Sequence, residues 1–125
     1  MERPHDYESL TTLDISNKNL EELPCWISEC KKLEKLICSS NNITRIDNLP
    51  QKLEKLYCFC NNITHLDNLP QTLKKLYCVN NLITQIDNLP VTLKELECKN
   101  NPLKYEFEPT LENIRNYNNK NKLQT

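Results

Sequence analysis

Between Leu33 and Leu103 the apolar positions fall on a fixed twenty-residue grid. Copies begin at Leu33, Leu53, Leu73 and Leu93, and the second of them sets out Leu53, Leu56, Cys58, Ile63, Leu66 and Leu69. Leu56 followed by Cys58 has the two-residue period of a strand with one buried face. The intervening Lys55, Tyr57 and Phe59 then belong to the opposite face. Asn41, Asn61, Asn81 and Asn101 each follow a cysteine by three residues. An amide leaving a strand there is expected to turn inward and bond the backbone of adjacent turns, satisfying polar groups that stacking buries. Pro50, Pro70 and Pro90 close the copies, each removing a backbone donor and blocking helix before the next strand.

A longer copy comes first, with Leu10, Leu13, Ile15, Leu20, Leu23, Pro24, Ile27, Cys30 and Leu33. Its last stretch spaces apolar residues three apart, which predicts a helical turn on the outer side with Cys30 in a core position. Lys18 occupies the asparagine position of this copy, as suits a terminal repeat that lacks an outer neighbour. After Leu103 the grid decays. Pro109 is expected to open a short capping helix with Leu111, Ile114 and Tyr117 on one face. The run from Asn118 to Lys122 reads as a polar, disordered tail.

Self-similarity at this step, on a Leu-x-x-Leu-x-Leu-x-x-Asn skeleton, is the pattern of a stacked solenoid. From residue 10 to residue 107 the chain resembles the leucine-rich repeat family. The short step and the Leu-Pro-x-x-Leu junctions, as in Leu49-Pro50-Gln51-Lys52-Leu53, resemble the variety in bacterial secreted effectors and in repeat families of giant amoeba-infecting viruses. The sequence departs from the effector pattern at Asp67, which stands where a first proline would, and it has no room for the ubiquitin-ligase domain some effectors append. The resemblance implies an α/β solenoid with a parallel β-sheet on its concave face and irregular or 3-10 turns on its convex face. About five repeats would start near residues 10, 33, 53, 73 and 93, between a flank at 1–9 and a capping helix with tail at 108–125. It also implies use in recognising a protein.

Composition narrows the function classes. At 125 residues the chain reads as one domain, and its net charge of -1 gives no electrostatic reason to expect nucleic acid or an anionic membrane. No apolar run approaches a membrane span or a signal peptide. Glycine and alanine are absent while asparagine, lysine, isoleucine and tyrosine abound, which points to an AT-rich genome.

Seven cysteines suggest a disulfide framework or a zinc site, but register argues against both for Cys38, Cys58, Cys78 and Cys98. Parallel strands hold like positions about 4.8 Å apart with their Cβ vectors aligned, whereas a disulfide wants roughly 3.8 Å and converging vectors. A straight row of thiols gives no tetrahedral metal shell either. These four are therefore expected to be small core residues, and the free thiols point to a reducing, intracellular location. Cys60 is expected at the concave rim, as a reactive thiol or an ordinary exposed one; Cys25 is expected on the outer surface beside Trp26.

Catalytic chemistry is thin: His5 and His65 are the only histidines, a phosphate loop would need glycine, and no cofactor is implied. Asp47, Asp67 and Asp87 form an outer row that could be a calcium ladder or, more simply, caps for the turns that follow. The solvent-facing strand positions carry the candidate partner site. One column runs Lys35, Lys55, Lys75, Glu95, the next Ile37, Tyr57, Tyr77, Glu97, and the third Ser39, Phe59, Val79, Lys99. An aromatic and aliphatic centre ringed by charge has the form of a protein-binding patch, although the same rings could simply pair across strands. The lysine column could meet an acidic partner or merely keep the surface soluble. A protein-binding module is thus the expected function, a self-associating scaffold or homo-oligomer the alternative, and an enzyme a distant third.

Overall fold

The computed structural model describes residues 1–123. Five strands of three residues each, β1 (Thr12–Asp14), β2 (Lys35–Ile37), β3 (Lys55–Tyr57), β4 (Lys75–Tyr77) and β5 (Glu95–Glu97), form one parallel sheet in sequence order. The register pairs Leu36 with Leu56, Leu56 with Leu76 and Leu76 with Leu96, so the twenty-residue step of the sequence becomes one strand step of the sheet. The longer first copy is accommodated by pairing Leu13 with Leu36. Its extra residues form a 3-10 helix at Cys25–Glu29 that buries Trp26 and Ile27. Four crossovers therefore wind the chain into a solenoid with the sheet along one wall.

The repeat grid is the core. Leu33, Leu36, Cys38 and Ile43 from one copy stack on Leu53, Leu56, Cys58 and Ile63 from the next and on Leu73, Leu76, Cys78 and Ile83 from the third, all without solvent exposure. Full burial of a leucine or isoleucine side chain is worth about 1.5 to 3 kcal/mol, and no single turn could achieve it alone. On the opposite wall the copies barely touch as sheet: a single parallel bridge joins Arg45 to His65.

The chain has no glycine, yet each turn needs backbone in the left-handed region. Ser40, Cys60, Asn80 and Asn100 leave the strands with φ of 54°, 57°, 59° and 58°, and Asn48, Asn68 and Asn88 re-enter the next copy at 56°, 54° and 53°. Asparagine tolerates this region better than other side chains, which explains its density here. The aspartates that precede these asparagines are not turn caps: Asp47 pairs with Arg45 at 3.4 Å and Asp87 accepts from Gln85 at 2.9 Å. The residue that makes each turn is the neighbouring asparagine.

The end of the array departs from expectation. Helix α1 runs Leu111–Leu123, so the segment from Asn118 to Lys122 is helical and not a frayed tail. Pro109 is not its first residue. Thr110 stands at the N-cap, its hydroxyl accepting from the Asn113 N–H at 3.1 Å. From this helix Ile114 is buried in the core, and one Arg115 guanidinium nitrogen donates to the carbonyls of Pro90, Val91 and Leu93 at 2.9, 3.3 and 2.7 Å. The Asn118 amide donates to Ile86 O at 3.0 Å. The helix closes the last turn with hydrogen bonds where no further repeat supplies them. At the other end Trp26 Nε1 donates to Met1 O at 3.2 Å and Arg3 pairs with Glu29 at 3.1 Å, tying the N-terminal flank to the first turn.

Candidate functional site

Two ladders run behind the sheet and fix the strands that carry the candidate face. The asparagine ladder bridges successive turns. Asn61 donates to the Cys38, Cys58 and Phe59 carbonyls at 3.0, 3.1 and 3.3 Å while its Oδ1 accepts from the Ile43 N–H at 3.1 Å. Asn81 and Asn101 repeat the arrangement one and two turns on. At the first rung Asn41 donates to Ile15 O, and its Oδ1 accepts from the N–H groups of Lys18 and Leu20, so the copy that carries Lys18 is served by its neighbour's amide.

The second ladder is Cys38, Cys58, Cys78 and Cys98, all buried free thiols. Desolvation pushes Cys38 and Cys78 up to about 12 and Cys58 well above its ordinary value; Cys98, at the end of the row, is raised by the same cause. A thiol alkylates as its thiolate, so these positions are doubly protected, by burial and by acidity. Cys25 and Cys60 are exposed. Under native conditions a maleimide is expected to label two thiols quickly and five only on unfolding, counted by intact mass. Rapid labelling of a third site would show that the ladder opens.

The opposite face is built by the other half of the strand alternation. Tyr57 and Tyr77, register partners, stack with centroids 4.8 Å apart and planes 8° from parallel. The spacing is that of the strands themselves, so the rings stand as a preformed platform whose rotamers are already fixed. Lys35 Nζ lies 5.1 Å from the Tyr57 ring centre. At the far side the Tyr77 hydroxyl donates to Glu95 Oε2 at 2.6 Å, and Lys75 Nζ sits 3.6 Å from Glu95 Oε1. That hydrogen bond raises the Tyr77 phenol to about 12 and holds the Glu95 carboxyl below its ordinary value. Ile37 and Val79 are half-buried beside the platform, and Phe59 is 36% exposed at its edge. Lys55 and Glu97 complete the face from the column positions expected of them, Glu97 being the register partner of Tyr77.

The sheet thus brings Lys35, Ile37, Lys55, Tyr57, Phe59, Lys75, Tyr77, Val79 and Glu97 onto one face. Ser39, first in the third column, does not join them. It is buried, with its hydroxyl donating to Tyr57 O at 3.2 Å, so the column begins at Phe59. Glu95, last in the lysine column, is tied into the face more closely than its column position alone implied. Its signal was in the sequence as the one acid in a column of lysines, where it meets both Lys75 and the Tyr77 hydroxyl.

Among the described residues no group of three or more His, Cys, Asp or Glu side chains is placed to hold a metal ion, and no helix is long and apolar enough to cross a membrane. A groove of about 350 Å³ beside the strand starts is lined by Glu54, Lys74, Thr72 and Thr92. There the Glu54–Lys74 pair is closed at 2.8 Å, and both threonine hydroxyls are spent on backbone carbonyls.

Among protein families, the leucine-rich repeat model matches residues 9–30, the first and longest copy. No curated protein matches the chain. Six solved chains do, among them YopM from Yersinia enterocolitica WA-314, with a TM-score of 0.71 and 31% sequence identity over 78% of this chain. The present chain spans 22% of the length of that one. With a parallel five-stranded sheet, one strand per repeat and a core of aligned leucines, the fold is that of a leucine-rich repeat solenoid.

Proposed function

We propose that the protein is a binding module whose concave sheet face grips another protein, and that it does no covalent chemistry. The observation that carries this is the Tyr57–Tyr77 stack. Two aromatic rings held rigid, half-exposed and bordered by Phe59, Ile37 and Val79 offer apolar contact at little cost in side-chain entropy. Cross-strand pairing explains their attraction for each other, at roughly 0.2 to 1 kcal/mol. It does not explain why large rings occupy the solvent side of both β3 and β4. The leucine-rich repeat fold supports the reading, since solenoids of this kind present an extended surface for recognition.

We read the place of action as a reducing cytoplasm, because all seven cysteines are free. For a bacterial or viral source of the kind the repeats resemble, that would include the cytoplasm of a host cell.

The test is affinity purification from cell extract with the wild-type chain and with Tyr57→Ser/Tyr77→Ser as baits. Removing two hot-spot rings is expected to weaken a partner by at least about thirtyfold, while leaving the thermal midpoint near that of the wild type because both rings lie outside the core. An unchanged set of captured proteins would sink the concave face as the site. The alternative, a scaffold that self-associates, rests on the outer edge of β1, which has no strand beyond it among the described residues. Light scattering separates the two: a mass that rises with concentration favours the scaffold, and a constant monomer mass the module.

A further inference from the structure

The charges on the concave face are unevenly spent. Lys75 is neutralised by Glu95, and Glu95 also holds Tyr77. Lys35 lies against the Tyr57 ring. The side chain of Lys55, half-buried at the centre of the column, forms no ion pair or hydrogen bond among the described residues, although its charge is felt by the Glu54 and Glu95 carboxylates. Its sequence neighbour Glu54 pairs with Lys74 instead, so the ammonium donors of Lys55 are left for a partner.

The position of that charge relative to the rings is fixed by the strand. Lys55, Tyr57 and Phe59 are successive residues on one face of β3 and its exit, about 6.6 Å apart per step. An extended chain laid along the strand has the same period. We propose that the concave face selects an extended, acidic protein segment in which an Asp or Glu and two apolar residues alternate with any residue, acid over Lys55 and apolar side chains over the Tyr57–Tyr77 stack and Phe59. This deepens the binding-module reading and rests on it. The surroundings favour a peptide over a nucleic acid, because Asp14, Glu95 and Glu97 border the lysines and would repel a continuous phosphate backbone.

Panning a random twelve-residue peptide library displayed on phage against the full chain tests the proposal. Enriched sequences should carry an acid two residues from an aromatic or aliphatic residue, in either chain direction. A synthetic peptide of the leading sequence should bind about tenfold more weakly to Lys55→Glu, and replacing its acid by lysine should recover most of the loss on that variant. The double variant Tyr57→Ser/Tyr77→Ser should abolish binding. Peptides that need the tyrosines but show no acidic enrichment, or that bind Lys55→Glu as well as wild type, overturn the acidic segment and leave the concave face standing. Peptides indifferent to the tyrosines overturn both. No enrichment overturns the extended segment, and so does displacement of the selected peptide by poly(U) RNA at physiological salt.

Discussion

Replacing Asn61 by alanine is expected to lower the stability of the solenoid by about 2 kcal/mol, because a buried polar group left without a partner costs about 1 to 3 kcal/mol. The amide carries four hydrogen bonds spanning two turns, and its loss strands the Ile43 N–H, while the Cys38 and Cys58 carbonyls keep the Asn41 and Asn81 amides as donors. Ile43 has no solvent exposure, so water cannot replace the amide. For a chain of this size the thermal midpoint should fall by about 8 °C. Position sharpens the test. Asn101 makes the same bonds at the last strand but is only partly buried, so Asn101→Ala should cost distinctly less. Since a repeat array holds together through nearest-neighbour interfaces, breaking the central one should also broaden the transition. Equal losses for Asn61→Ala and Asn101→Ala, by denaturant melts followed by circular dichroism, would mean that the ladder acts locally and does not couple turns.

What the sequence disclosed is what repeats. Strand positions, the inward asparagines, the buried cysteine row and the three outward columns follow from register. Register is readable because every copy must satisfy the same neighbour. The failures fall where that constraint lapses. The segment from Asn118 to Lys122 reads as tail by composition, yet polar side chains are what the end of a solenoid demands. The last turn presents carbonyls that no further strand will meet, and Arg115 and Asn118 reach back to four of them. Ser39 was assigned to the surface by analogy with Phe59 and Val79, but a small hydroxyl can fold back on Tyr57 O where those side chains cannot. The aspartate row likewise drew attention from Asn48, Asn68 and Asn88, whose positive φ values substitute for the missing glycines.

The candidate face was legible only as a list of columns. Its organisation depends on distances that no repeat pattern encodes: the 2.6 Å bond that ties Tyr77 to Glu95 and the 3.6 Å approach of Lys75 to the same carboxylate. These two contacts neutralise one end of the lysine column and leave the Lys55 side chain without an ion pair or hydrogen bond among the described residues. One substitution in the repeat, Glu95 for lysine, therefore turns a uniform column into a surface with direction.

The cysteine row should make the protein sharply less stable above pH 9. The sign follows from linkage. Burial raises the thiols of Cys38 and Cys78 to about 12 and that of Cys58 well above its ordinary value, while in the unfolded chain they titrate near 9. A group whose folded pKa is raised contributes its full stability below the unfolded pKa and loses it as pH climbs toward the folded value. Between pH 9 and 12 the unfolded state therefore sheds protons that the folded state keeps. At pH 10 each such thiol costs on the order of 1 kcal/mol, and the three together a few kcal/mol, a large share of the roughly 5 to 15 kcal/mol that holds an ordinary domain together. Denaturant midpoints under reductant should accordingly be flat from pH 6 to 8 and fall steeply between 9 and 10. In Cys58→Val, which keeps an apolar side chain of similar size in the row, the fall should shrink by about a third. A wild-type midpoint that stays level to pH 10 would mean that the thiols reach solvent in the folded state. The ladder would then be a set of accessible thiolates, and the maleimide experiment would have to label more than Cys25 and Cys60.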